Sequence, residues 1–159
     1  MLAARLVRAI EEHAEELTRG VLDDLATNPR TPSYHALSRA ELHGRVYEVY
    51  RNLGRWLDDD TGEAVDASYG ALGRYRRAEG IPLEEVVYAL ILTKQHLRDY
   101  ILSTGLVASV VDLYQEEDLN LRLDQFFDRA LYHTVKGYQG AARVPNPLSA
   151  SAHGPGPRA

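Results

Sequence analysis

Gly80-Ile81-Pro82-Leu83-Glu84-Glu85-Val86-Val87-Tyr88-Ala89-Leu90 reads as a helix stop followed at once by a helix start. Gly80 is placed to adopt the left-handed conformation that ends a helix. Pro82 sits where its missing N–H costs nothing, and Glu84 and Glu85 meet the positive end of the helix dipole. The spacing predicts a helix from about Pro82 to Ser103, with Leu83, Val86, Val87, Leu90, Leu97 and Ile101 facing inward, and a stop at Gly105.

The same period of three to four runs outward in both directions. Toward the N-terminus, Leu2, Leu6, Ile10, Ala14 and Leu17 form one stripe, with an interruption expected at Gly20 before Val21, Leu22 and Leu25 carry it to Asn28-Pro29. Arg30 to Leu37 reads as a loop. Ser38-Arg39-Ala40-Glu41 has capping-box spacing and predicts a helix that carries Leu42, Val46, Val49, Tyr50, Leu53 and Leu57 and closes at Asp58-Asp59-Asp60. Thr61-Gly62-Glu63 starts another, with Val65, Tyr69, Leu72 and Tyr75/Arg76 before Gly80.

Toward the C-terminus a long helix is predicted from Leu106 to Gly140, bent or broken near Glu116-Glu117-Asp118, where the apolar stripe lapses. No segment shows the period of two that strands require. The expected fold is all-α: a single domain over residues 1–142 with five to six helices, packed as a bundle or at steeper, globin-like angles. Residues 143–159 form a Pro/Gly/Ser-rich stretch that buries too little apolar area to offset its ordering, and they read as a flexible tail or linker remnant.

Composition narrows the function. With 159 residues, 45% of them hydrophobic and 26% charged, the chain suits one ordinary core. A net charge of −5 does not describe a surface built for nucleic acid. Cysteine is absent, which removes disulfides, thiolate nucleophiles and thiolate metal sites. Arg5, Arg8, Glu11 and Glu12 interrupt any signal-peptide core, and the longest later apolar stretch, Val86 to Thr93, is far shorter than a membrane span. A cytoplasmic protein with no membrane contact is the expectation.

Candidate chemistry is sparse. Of six histidines, His96 has the setting closest to a haem ligand, mid-helix in Leu92-Thr93-Lys94-Gln95-His96-Leu97, although the inward stripe passes beside it. Haem or another cofactor on His96 is therefore the alternative reading, and no cofactor is the main one. Neither His-Glu-x-x-His nor paired Glu-x-x-His spacing occurs, and Asp58-Asp59-Asp60 reads as a solvated acidic turn. No Ser-containing elbow or Gly-rich phosphate loop is present, so no enzyme is predicted. Arg74-Tyr75-Arg76-Arg77 reads as a solvated helix end suited to the dipole, or as a patch for an anionic partner surface.

Ten tyrosines against two phenylalanines give many large rings with one polar end, a composition favoured at protein interfaces. Together with Trp56, Phe126 and Phe127, and with Leu2, Leu6 and Ile10 needing cover on the first helix, they predict a homodimer or partner surface.

The runs Tyr47–Leu57, Tyr69–Arg76, Gly80–Leu90 and Phe126-Phe127-Asp128-Arg129-Ala130-Leu131-Tyr132 resemble the N-terminal domain of RsbRD-type RsbT co-antagonist proteins, over roughly residues 5 to 141. That resemblance implies a bacterial sensory or regulatory domain with no catalytic residues, normally placed before an output module. Related stressosome sensor domains are haem-free, globin-like and dimeric. No output domain follows Gly140 here, so the resemblance implies either a fragment ending in a linker or a module acting on a separate regulatory partner. The long last helix adjoining the C-terminal stretch motivates one mechanistic hypothesis: a dimer whose helices repack when a small apolar ligand or partner docks, passing the change along that helix toward Gly140.

Overall fold

The computed structural model describes residues 2–142, which form seven α-helices and one short 3-10 helix with no strand among them. In chain order they are α1 (Leu2–Glu12), α2 (Ala14–Thr27), the 3-10 helix (Pro32–Ala36), α3 (Arg39–Arg51), α4 (Leu53–Leu57), α5 (Glu63–Ala78), α6 (Leu83–Ser103) and α7 (Val110–Ala142). The expected tail, 143–159, with His153, lies outside the described residues.

Two predicted helices are each split in two, which is why there are seven rather than five or six. The first breaks at His13, not Gly20: His13 leaves helical geometry (φ −101°, ψ 17°), while Gly20 lies inside α2. Leu6, Ile10 and Ala14 stay buried across the break, so the apolar stripe carries no mark of it. The second breaks at Asn52 (φ −116°, ψ 27°), between α3 and the one-turn α4. In the opposite sense, α7 runs unbroken through Glu116-Glu117-Asp118 and starts at Val110 rather than Leu106. Charged residues on those turns face solvent, and a lapse in the apolar stripe does not interrupt backbone hydrogen bonding.

Other signals sit where the spacing places them. Ser38 Oγ accepts from the Glu41 amide at the start of α3, and Gly80 (φ +74°) and Gly105 (φ +60°) follow α5 and α6 in left-handed geometry. Glu85 does more than face the dipole. It is 5% exposed, and its carboxylate accepts from the Ser33 amide (2.7 Å) and hydroxyl (2.6 Å), tying the 3-10 helix to the start of α6.

α5 and α7 form the tightest contact in the molecule. At their crossing, a Cβ on Gly73 would overlap the Thr134 carbonyl, and a Cβ on Gly137 would overlap that of Gly70. The two backbones touch with no side chain between them. α2, α3 and α6 close the other side of the core, where Tyr50, fully buried, donates its hydroxyl to the Thr93 carbonyl of α6 (2.6 Å).

Candidate functional site

Between these two sides lies a half-open cavity of about 60 Å³. α3 contributes Leu42, Arg45, Val46 and Val49; α5 contributes Tyr69, Leu72 and Arg76; α6 contributes Val86, Ala89, Leu90 and Thr93; Leu25 and Tyr34 complete it. Its walls are mainly aliphatic, with one strongly charged residue fully inside the core.

That residue, Arg76, is 2% exposed. One terminal nitrogen donates to Glu79 (2.7 Å) and Glu41 (3.2 Å), and the other donates to both oxygens of Glu41 (3.3 and 3.2 Å). Its guanidinium also stands 5.5 Å from the centre of the Tyr34 ring. Burial works against the charge, but the Glu79 hydrogen bond and the fields of Tyr34, Glu41 and Glu79 outweigh it, so its pKa is raised. Glu41 additionally accepts from Arg45, whose guanidinium lies over the Tyr75 ring. Burial pushes the Tyr34 phenol up to about 12 and raises that of Tyr69 as well. The Nε–H of Arg76 is buried with no hydrogen-bond partner.

Sequence reasoning read Arg76 with Arg74 and Arg77 as a solvated basic run. The structure separates them: Arg74 and Arg77 are exposed, Arg77 lies over the Tyr138 ring, and Arg76 is in the core. The signal was in the spacing, since Arg76 stands four residues after Leu72 and seven after Tyr69 on the inward stripe.

His96 lies elsewhere, on the seam between α2 and α6. Its Nε2 meets Asp24 Oδ2 at 2.9 Å, and its ring borders Gly20, whose absent Cβ would make ordinary contact with it. It does not line the apolar cavity. Burial of Asp24 opposes its charge, but hydrogen bonds with His96 and Asn28 hold its carboxyl below the usual range. His133 pairs with Asp66 (2.9 Å), which also accepts two hydrogen bonds from Arg129 (2.6 and 2.9 Å).

The acidic run is structural in its contacts. Asp59 accepts from the Gly62 and Ala64 amides at the start of α5 (3.1 Å each), and Asp58 pairs with Arg122 (3.1 Å). Among the described residues no three His, Asp or Glu side chains gather as a metal site.

The residues expected at an interface are placed inside the chain. Leu2, Leu6 and Ile10 are at most 2% exposed, covered by the core of the same chain rather than by a second one. Phe126 and Phe127 are also buried, packed edge to face (5.1 Å between ring centres), and half-buried Trp56 packs against Tyr69 and Phe126. A different apolar face is open. Leu102 at the end of α6, Val107 in the connection, and Val110, Val111, Leu113, Tyr114 and Leu121 on α7 are all exposed, between 40% and 73%. Val110, Tyr114 and Leu121, spaced by four and seven, share one side of the helix.

No helix among the described residues is long and apolar enough to cross a membrane. No curated protein and no solved structure matches the chain. The model of the family described as RsbT co-antagonist protein rsbRD N-terminal domain matches residues 14–144, which takes in every helix except α1. The chain belongs to the family of RsbT co-antagonist protein RsbRD N-terminal domains.

Proposed function

We propose that the chain is a non-catalytic, cytoplasmic signalling module of the stressosome-related type that acts as a homodimer and passes a signal to a regulatory protein by direct contact. The family supports the signalling role. The observation that carries the dimer is the apolar face of Leu102, Val107, Val110, Val111, Leu113, Tyr114 and Leu121. Contiguous exposed apolar surface of this kind marks interaction sites. A two-fold dimer needs only one such face, because the same surface serves both copies. This interface replaces the one expected on Leu2, Leu6, Ile10, Phe126 and Phe127, which the core already covers.

The reading includes a haem-free, globin-like arrangement, in keeping with an α2–α6 seam where His96 is engaged by Asp24. Sedimentation equilibrium tests the dimer. The wild-type chain should have twice the monomer mass at micromolar concentration, while Val111→Asp and Tyr114→Asp should give monomers with unchanged helical content. A wild-type chain that stays monomeric at hundreds of micromolar overturns the reading.

A further inference from the structure

We propose that the cavity between α3, α5 and α6 is a receptor site for a small, neutral, mainly apolar molecule with one hydrogen-bond acceptor, of the short-chain ketone class, held through the phenols of Tyr34 and Tyr69. The inference rests on the signalling role proposed above, for which it supplies the input, and needs no dimer.

Three observations define the ligand. The first is size: by the measure in which one water needs about 10–15 Å³, a 60 Å³ cavity has room for about four to six heavy atoms. The second is polarity. Eight of the thirteen lining residues are aliphatic, Val46, Val49, Val86 and Leu90 among them, and the Thr93 hydroxyl is engaged with the Ala89 carbonyl (2.9 Å). An apolar body is thus preferred over a sugar or a polyol.

The third is charge. Arg45 and Arg76 are matched by Glu41 and Glu79, so no cation is left to receive a carboxylate and no carboxylate to receive an amine. An ion entering this space would be buried without a counter-charge. The Nε–H of Arg76 has no acceptor either, but it is sealed from the cavity and cannot serve a ligand. The phenols of Tyr34 and Tyr69 line the space and can donate to a ligand oxygen.

Three probes of similar size test this on the whole chain. They are 2-butanone, 2-methyl-1-butene, which replaces the carbonyl oxygen by CH₂, and butanoate. Methyl resonances of Val46, Val49, Val86 and Leu90 report occupancy, and the thermal midpoint reports linkage. Butanone should shift those methyls saturably and raise the midpoint, the alkene should bind at least tenfold more weakly, and butanoate should leave both signals unchanged. Ala89→Leu fills the cavity and should abolish the butanone response while the far-ultraviolet helical signal is kept.

Non-saturable shifts with all three probes, the behaviour of a cavity that holds only water, overturn the proposal. So does equal affinity for ketone and alkene, or binding undiminished in Ala89→Leu. Because the readout is local to the cavity, a monomeric chain that binds butanone fails the dimer alone, and a dimeric chain that ignores it fails the receptor site alone.

Discussion

The carbonyl oxygen of Gly70 on α5 sits where the Cβ of any larger residue at position 137 on α7 would have to be. Gly73 makes the reciprocal approach to the Thr134 carbonyl, so the crossing is held by backbone against backbone. Gly73→Ala or Gly137→Ala should therefore destabilise the fold by about 1–3 kcal/mol in urea titrations, although alanine is the better helix former. Gly44 on α3, where an added Cβ would have nothing within 4 Å, is the control. Gly44→Ala should stabilise by up to about 1 kcal/mol.

Arg76 is the buried centre of a charge cluster. Arg76→Met leaves Glu79 unmatched and Glu41 with Arg45 alone, and should cost about 3 kcal/mol at neutral pH, read from the shift in urea midpoint. Arg76→Lys should recover little of this, because an ammonium cannot span two carboxylates with a planar fork.

The sequence made the inward face of each helix readable and hid the places where helices end without Gly or Pro. His13 and Asn52 break the chain while Ile10, Ala14, Val49 and Leu53 keep their burial, so periodicity passes over both breaks. The cavity was half legible. Spacing put Arg76 on the stripe, but its partner Glu41 is 35 residues away and belongs to another helix, a relation that only packing creates. Which apolar set stays open was not legible for the same reason. Leu2, Leu6 and Ile10 are as apolar as Val110, Val111 and Tyr114, and only the tertiary arrangement decides which set the core absorbs.

Stability should fall in acid. Hydrogen bonds from Arg129 hold the Asp66 carboxyl below its ordinary range, a hydrogen bond from Lys94 does the same for Asp124, and Asp24 is lowered against its burial by His96 and Asn28. A carboxyl depressed in the folded state contributes stability that is present above its unfolded pKa of about 3.9 and is lost as pH falls through the folded value. Urea midpoints should accordingly drop from pH 5 to pH 3. The slope of that drop should be shallower in Asp66→Asn.

The two sides of α7 should respond differently to truncation. Leu119 is fully buried and Leu121 is 56% exposed. Leu119→Ala should cost about 2–5 kcal/mol at every protein concentration. Leu121→Ala should change the stability of the dilute chain by less than about 0.5 kcal/mol, with its effect appearing as weaker self-association in sedimentation.

Residues 110–118, the opening turns of α7, have no buried side chain; one polar tie, from the Leu2 amide to Gln115 (2.6 Å), reaches them from α1. These turns extend the anchored part of α7 with no core contact of their own, so they open at less cost than the rest of the helix. The homodimer proposed above, by covering Val110, Val111 and Tyr114, would slow the opening of those turns, so that fraying at the start of α7 should lessen as protein concentration rises.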